Sequence, residues 1–471
     1  MRAPWRQADD TQIARNFYRE DPRLFYPRID WRRDTPGFVE MELPLLPWLA
    51  GMTYRVAGYH EPIRRGLSAL LEIGSLLLFA GLAKRRLSPA GALFAIAAFA
   101  LNPLLIYLST AMQPEPLMLF LSLVAIVLVE RFDRTGSTMA LLGAGAALGG
   151  AILAKAPAAC LGFVFAWVGL RRLGWGALRR PAVYAAALLA LVPPAAWYAW
   201  ARHFWIDYGN SLGLSNEDPF LGLDMLWPPR FVVGIVKWET LAVITPAGWL
   251  LLASALRAGR REIGLAWAWL LAVVVFFVVT ARTTADDWAF YYHAAAVAPA
   301  CLLMGSGFAA LADDPRQVPR RAGLALGALT LIGLLLSTAA LLQARDDRAD
   351  LLAMRDCGLR FLRHIPGDAS IVAQGGALRD DQGHPVAHNQ SMLFAWLDRK
   401  GFTYGNEELS VPTLVGIAAR GGRFWIADRS EVKGSFGSEV ADRFRLVDRC
   451  ASGYHLYDLS APADAATPPE E

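Results

Sequence analysis

The amino-acid sequence predicts a mostly α-helical, polytopic membrane protein: a bundle of about ten spans followed by a small α/β domain. Three observations predict this fold class. The 471 residues are 55% hydrophobic with a mean hydropathy of +0.32, above the apolar content of ordinary soluble domains. About ten apolar runs approach the roughly 17–25 residues that a membrane-crossing helix needs. Beyond residue 342, glycine, aspartate and arginine become frequent and the apolar runs shorten to strand length.

The chain divides into four segments on these grounds. Residues 1–63 are polar and charged, and we expect them to form an outer catalytic loop with amphipathic helices. Residues 64–342 hold the spans, and residues 343–460 form the α/β domain. Residues 461–471, rich in proline, alanine and acid, predict a disordered tail.

The predicted spans alternate with charged connections. We place them near residues 64–83, 89–108, 116–132, 138–155, 157–170, 181–200, 238–256, 264–281, 293–311 and 322–342. The fifth run is short, which leaves open a bent or re-entrant hairpin with the fourth.

Basic residues are concentrated at one end of these spans. Fifteen lie in one set of connections: Lys84, Arg85, Arg86, Arg131, Arg134, Arg171, Arg172, Arg179, Arg180, Arg257, Arg260, Arg261, Arg316, Arg320 and Arg321. Five lie in the other: Lys155, Arg202, Arg230, Lys237 and Arg282. The positive-inside rule places the richer set in the cytoplasm. Both termini and the first loop are then expected outside.

The first loop would have to be exported before any predicted span has been made. Met1 to Trp5 do not resemble a signal peptide. We therefore expect an original first helix encoded upstream of this start. The alternative is that the first predicted span of this sequence itself exports the loop, with the N-terminal tail crossing the membrane first.

A proline-braced stretch at residues 35–48 contains two acids, Glu40 and Glu42. Pro44 disfavours helix at Leu43, and in an extended segment residues two apart share a face. The two carboxylates are therefore expected to point into one polar spot at the membrane edge, where a metal, a cationic cluster or water would have to meet them.

The other polar candidates at the outer ends of the spans are Asp9, Asp10, Glu115, Lys155, Tyr291, Tyr292 and His293. A carboxylate there can act as general base for an acceptor hydroxyl. Carboxylates with a histidine can hold a divalent cation, for which Glu40, Glu42 and His293 are the candidate ligands. A lysine or arginine can neutralise a phosphate leaving group.

Each candidate also has a purely structural interpretation. Asp9 and Asp10 would cap a helix over Thr11–Tyr18, and Glu115 would favour the N-terminus of its own span. Lys155 would extend to the interface. The acidic pair of the proline-braced stretch would be a solvated face, and the histidine would sit beside belt tyrosines.

Five outer-loop motifs carry a resemblance. They are Trp-Arg-Gln-Ala-Asp with Asn-Phe-Tyr in residues 5–18, the stretch 26–45, Gln-Pro-Glu at 113–115, Leu-Ala-Lys-Ala-Pro at 153–157 and Tyr-Tyr-His at 291–293. Together they resemble the GT-C superfamily of integral membrane glycosyltransferases, near the bacterial protein O-mannosyltransferases and lipid A aminoarabinose transferases of the family 39-like branch. The resemblance spans roughly residues 1–342.

The resemblance implies a transferase at the outer face of a bacterial inner membrane that uses a polyprenyl-phosphate sugar. Asp9 matches the first-loop acid, Glu42 a candidate metal or acceptor ligand, and Lys155 a phosphate-neutralising lysine. Aminoarabinose transferases have lysine where this chain has Leu43, so that another phosphate contact is expected, with Arg6 as the candidate.

Other assignments within that resemblance stay open. The spacing does not decide between Asp9 and Asp10 as the base. Glu115 matches a second acidic loop, and Tyr291 and Tyr292 match a late aromatic loop that contacts substrate. The acceptor is a glycan, a lipid or a protein, membrane lipid is a further partner, and no nucleic-acid-binding motif is present. Alternative functions are a flippase or transporter for polyprenyl-linked glycans and a catalytically inactive glycan-binding relative.

The segment after the spans predicts a small outer domain. Residues 369–373, 423–427 and 454–459 read as strands, and residues 391–397 and 411–420 as helices. Four cysteines exclude a disulfide scaffold. Two of them, Cys357 and Cys450, flank the first and last strands of this domain, so a bridge between them is geometrically plausible.

Overall fold

The computed structural model describes residues 4–213, 226–227, 229–257, 260–284, 287–346, 349–379 and 389–462. Its α-helices are α1 Pro4–Arg19, α2 Leu45–Ala57, α3 Glu61–Arg86, α4 Pro89–Ala100, α5 Pro103–Leu108, α6 Glu115–Thr135, α7 Thr138–Ala154, α8 Gly162–Leu173, α9 Pro181–Tyr208, α10 Pro229–Trp238, α11 Pro246–Ser254, α12 Arg260–Val279, α13 Ala281–Thr284, α14 Ala294–Ala312, α15 Gln317–Asp346, α16 Ala349–Phe361, α17 Ser391–Leu397, α18 Val411–Ala419 and α19 Gly434–Arg443. Its strands are β1 Ile371–Gly376, β2 Gly401–Gly405, β3 Phe424–Asp428, β4 Arg445–Arg449 and β5 Tyr454–Asp458.

The membrane bundle is helical as predicted, but fewer helices than expected qualify as spans on their own. Among the described residues, five are long and apolar enough: Glu61–Arg86, Ala156–Arg179, Pro181–Tyr208, Ala289–Ala312 and Gln317–Gln343. Helices α4 and α7 are apolar but shorter. Helix α6 carries four charges in its last turns, Glu130, Arg131, Asp133 and Arg134, which shortens its apolar part.

A sharp break lies where one continuous span was predicted over 238–256. Helix α10 continues into a π-helical turn, Glu239–Ile244, and α11 then leaves at 85°. Thr245, between them, has a φ of 70°, a conformation that costs a β-branched residue free energy. Pro246 begins α11 because a proline fits the first turn of a helix. The predicted fifth run belongs to the long helical segment Ala156–Arg179, which is separated from α7 by Lys155 in an extended conformation.

The outer domain is a mixed five-stranded sheet of order β2-β1-β3-β5-β4. Strands β1, β2 and β3 are parallel, whereas β5 pairs antiparallel with β3 and β4. The predicted strands and helices of this domain are confirmed, and β2, β4 and α19 are additional. The predicted bridge is also present: Cys357 and Cys450 form a disulfide with 5.7 Å between their Cα atoms. The predicted disordered tail lies outside the described residues from residue 463 onward.

The first loop and the outer domain share one hydrophobic core. Ile13 and Phe17 of α1 pack in the same buried cluster as Phe361 of α16 and Phe394 of α17. Polar bonds reinforce this contact, because Arg15 donates to the backbone oxygens of residues 394 and 395. The outer domain is therefore docked directly on the helix that carries the predicted acids.

Candidate active site

Helix α1 presents Arg6, Asp9 and Asp10 together, because residues three and four apart are neighbours on a helix. All three are buried. The alternative that the acids cap a helix over Thr11–Tyr18 is wrong, since α1 begins at Pro4 and both acids lie inside it. Buried charges inside a helix cost free energy unless they are paired or functional, so their partners decide their role.

Asp9 accepts hydrogen bonds from two distant parts of the chain. The indole Nε1 of Trp31 donates to Oδ1 at 2.8 Å. The carboxamide Nδ2 of Asn389, from the outer domain, donates to both oxygens at 3.4 Å. Burial raises the pKa of Asp9 to about 7, although Trp31 and Arg6 act to lower it. A carboxylate with a pKa near neutrality is suited to general-base catalysis.

Asp10 is held differently. Its side chain is almost fully buried, and neither oxygen has a hydrogen-bond partner among the described residues. Its nearest cation is Arg6, with 3.6 Å between Nε and Oδ2. Burial raises the pKa of Asp10 to about 7, against the lowering effect of Arg6. An acid without a hydrogen bond at this depth indicates a group that meets a ligand or a proton rather than a structural anchor.

Arg6 joins α1 to the proline-braced stretch through Glu42, with 2.5 Å between Nη2 and Oε2. Burial alone would raise the pKa of Glu42, but Arg6 and Lys155 outweigh it and the pKa is lowered. Glu40 does not share this spot. Its carboxylate accepts a hydrogen bond from the Ser211 hydroxyl at 2.7 Å, and its backbone pairs with the chain at residues 210–212.

Lys155 follows α7 and forms a buried ion pair with Glu115 at the start of α6. Its ammonium lies 4.3 Å from the ring centroid of Tyr292 and 5.1 Å from that of Tyr291, within cation–π distance. The backbone N–H of Leu43 donates to the oxygen of Leu153 at 3.0 Å. This bond holds the segment that contains Glu42 beside the turn that contains Lys155.

His293 lies elsewhere and pairs with a residue that the sequence did not single out. Nδ1 is 2.8 Å from Glu239 Oε1 in the π-helical turn, and Nε2 is 3.1 Å from the Thr284 oxygen. The predicted metal ligands Glu40, Glu42 and His293 therefore do not come together. Within the described part of the chain, no group of three His, Cys, Asp or Glu side chains is arranged to hold a metal ion.

A cavity opens from the Lys155–Glu115 pair into the bundle. Its polar end is formed by these two residues and Tyr292. Its body lies between α6, α12, α14 and the turn after Lys155, and is lined by apolar side chains such as Trp269 and Phe276. The arrangement suits an amphiphile with one anionic group beside the lysine and a long apolar tail.

Two residues of the site were missed from the sequence, Trp31 and Asn389, and so was Glu239, the partner of His293. Trp31 lies in the stretch 26–45 that carries the resemblance, but it was not singled out as a site residue. Asn389 and Glu239 contact partners 380 and 54 residues away. Local sequence patterns do not predict contacts between residues so far apart in the chain.

Comparisons with known proteins agree with this architecture. Residues 35–200 match the family described as dolichyl-phosphate-mannose-protein mannosyltransferase, and no curated protein sequence matches the chain significantly. A structure of ArnT from Cupriavidus metallidurans bound to undecaprenyl phosphate is 14% identical, with 99% of this chain and 95% of that chain covered and a TM-score of 0.66. The apo structure of that protein is 15% identical, with 98% and 94% covered and a TM-score of 0.63. The chain thus shares the fold of that ArnT protein over nearly its whole length, in agreement with the resemblance noted in its outer loops.

Proposed function

We propose that this protein transfers a sugar from a polyprenyl-phosphate donor to a hydroxyl group of an acceptor outside the cytoplasm. The observation that supports the proposal most directly is the position of Asp9. It is a buried carboxylate with a pKa of about 7, beside Arg6 and oriented by Trp31 and Asn389. The fold comparison and the family match over residues 35–200 are independent support.

The donor would lie in the cavity beside Lys155. The apolar body between α6, α12 and α14 suits an isoprenoid tail, and the ammonium of Lys155 would neutralise the phosphate. Tyr291 and Tyr292 hold the lysine by cation–π contacts, and Lys155 itself lines the cavity. Glu115 would exchange its ion pair for a shared contact once the phosphate arrives.

The proposed reaction is a single displacement. The acceptor oxygen attacks the anomeric carbon, the bond from that carbon to the phosphate oxygen breaks, and the lipid phosphate leaves with the bonding electrons. The acceptor proton passes to Asp9. Arg6 Nε has no hydrogen-bond partner in the described structure, so this N–H would supply the phosphate contact that a lysine at position 43 makes in the aminoarabinose transferases.

Two observations support a site outside the cytoplasm. A disulfide between Cys357 and Cys450 suits an oxidising compartment, and the basic residues gather at the opposite ends of the spans. We therefore propose a multi-pass protein of a bacterial inner membrane with its active site and outer domain extracytoplasmic. A reporter fused after Ala340 is expected to be active only outside the cytoplasm.

Turnover in detergent separates the candidate functions. Purified protein is incubated with a panel of synthetic polyprenyl-phosphate sugars and with lipid, glycan and peptide acceptors, and released polyprenyl phosphate is measured. A transferase turns over in micelles, where a flippase has no second membrane face to serve. Donor binding without any release across the panel would favour a catalytically inactive relative and contradict the proposal.

A further inference from the structure

Three helices converge at the end of the bundle opposite the candidate active site. Glu130, near the end of α6, is only 1% exposed and is surrounded by guanidinium groups. Arg85 Nε lies 3.2 Å from Oε2, and Arg86 Nε and Arg134 Nε lie 3.4 and 3.5 Å from Oε1. Arginines of α3 and α6 thus share one buried carboxylate.

A second acid extends this arrangement to α8. Asp133 pairs with Arg171 and lies 3.9 Å from Arg86 Nη2. Arg172 donates to the backbone oxygen of Asp133 and does not pair with its carboxylate. We call these seven residues the basic end cluster: Arg85, Arg86, Glu130, Asp133, Arg134, Arg171 and Arg172.

The cluster has a positive excess. Four guanidinium groups pair with two carboxylates, and the fifth, that of Arg172, donates to a backbone oxygen. Lys84 and Arg131 add exposed charge at its rim. Each guanidinium has five N–H donors, far more than two carboxylates can accept. Several also reach the surface, since the side chains of Arg134 and Arg171 are 53% and 37% exposed. Donors are therefore available for a further anion.

The position of the cluster indicates what kind of anion. Glu115 begins α6 in the candidate active site, and the nineteen residues to Arg134 span about 30 Å of helix, the thickness of a hydrocarbon core. Apolar side chains lie exposed around the same helix ends, including Met139, Leu170 and Trp175. A phosphate group placed here would carry its acyl chains along an apolar surface.

We propose that the basic end cluster is a binding site for the phosphate headgroup of an anionic phospholipid in the leaflet opposite the active site. The paired N–H donors of an arginine guanidinium group match phosphate oxygens in geometry and charge. Basic pockets between spans on the cytoplasmic side are suited to such headgroups. Arginines that serve only to orient the spans need no buried partner. Here Glu130 draws arginines of two helices to one point before any ligand arrives.

The test uses full-length protein purified in neutral detergent and stripped of lipid. Binding of phosphatidylglycerol and of phosphatidylcholine is measured by native mass spectrometry and by the shift in unfolding temperature. We expect phosphatidylglycerol to bind at least about tenfold more tightly, because only it carries net negative charge. The double variant Arg134→Gln/Arg171→Gln should lose that preference, whereas Arg180→Gln, an exposed arginine on the same membrane side but outside the cluster, should keep it.

Three outcomes would overturn the proposal. Equal loss of preference in Arg180→Gln would show general attraction to the basic surface. Full competition by inorganic phosphate at millimolar concentration would show a site for a free anion. Retained preference in the double variant would place lipid binding elsewhere. If the double variant unfolds without added lipid, Arg134→Lys replaces it. This change keeps the charge but removes the paired N–H donors of the guanidinium group, so phosphatidylglycerol should bind more weakly at an unchanged lipid-free unfolding temperature. Unchanged binding would overturn the proposal.

Discussion

Asn389 of the outer domain reaches Asp9 of the first helix, with 3.4 Å from its carboxamide nitrogen to each carboxylate oxygen. The two residues are 380 positions apart in the chain. The candidate base is therefore not completed within the membrane half of the protein. The outer domain contributes to the site itself.

Asp9→Asn should abolish most activity while the fold is retained. The amide keeps the size of the side chain and can still meet the indole of Trp31 through its oxygen, but it cannot take a proton. A general base is worth roughly 10² to 10⁴ in rate, so turnover should fall by about that factor at unchanged donor affinity. Asp10→Asn measured in parallel decides between the two acids: wild-type turnover in Asp9→Asn with loss in Asp10→Asn moves the role by one residue.

The rate should depend on pH through the ionisation of Asp9. Its pKa is raised to about 7 by burial, and only the deprotonated form can accept the acceptor proton. Activity should thus be low at pH 5.5, rise through about pH 7 and level off above it. The pH dependence of turnover divided by the donor KM measures this rise. A flat profile from pH 5 to 8 would contradict the assignment of Asp9 as the base.

Asn389→Ala should shift the rising part of the pH–activity profile to higher pH. Its amide stabilises the ionised carboxylate, as the indole of Trp31 also does, so its loss makes Asp9 a weaker acid. We expect lower activity at pH 7 and substantial recovery at pH 8.5. Gln390→Ala is the matched control, since its side chain faces Met354 instead. A uniform loss at every pH would indicate a purely structural role for Asn389.

Asp10→Asn should stabilise the folded protein at neutral and alkaline pH. Burial raises the pKa of Asp10 in the folded state to about 7, above its value near 4 in an unfolded chain. Between these values the folded state holds more protons than the unfolded state, so stability falls as pH rises from about 4 to 7. Asparagine does not titrate. The difference in unfolding temperature between the variant and wild type should therefore increase in favour of the variant as the pH rises. A difference that does not change with pH would contradict this.

Removal of the disulfide should destabilise the outer domain. The bridge joins residues 93 positions apart, for which the chain-entropy model gives an upper value of about 4–5 kcal/mol. Cys450→Ser should lower the unfolding temperature and make it insensitive to reductant, whereas wild type should lose stability only when reduced. Cys160→Ala, a free thiol, serves as control. An unchanged unfolding temperature in Cys450→Ser would show that the bridge adds nothing.

The sequence predicted elements with a strong local signature. Apolar runs, proline boundaries and strand-length alternation located the bundle and three of the outer strands. Strand β4, Arg445–Arg449, was missed because three of its five residues are charged and none of the five is fully buried. The break at Thr245 was missed because hydropathy does not register a change of backbone direction.

The sequence predicted the part of the candidate site whose residues lie in local motifs. Arg6, Asp9, Glu42, Glu115 and Lys155 sit in motifs, and they do lie close together. Glu40 was expected beside Glu42 from the two-residue period of an extended chain, but the two acids have different partners: Ser211 for Glu40 and Arg6 for Glu42. The partner of His293 is Glu239, a pairing that depends on the path of a broken helix.

The docking of the outer domain on α1 has a consequence for the biosynthesis of the protein. Gln12 and Arg15 bind backbone oxygens of residues 391 and 395, made 379 and 380 residues later. At the usual synthesis rate of about 5–20 residues per second, the first helix waits on the order of 20 to 80 s for these partners. During that interval the nascent chain already has its membrane half but lacks Asn389. Any product that ends before α17 should therefore be inserted and inert, and its exposed first helix offers quality-control proteases a marker of unfinished synthesis.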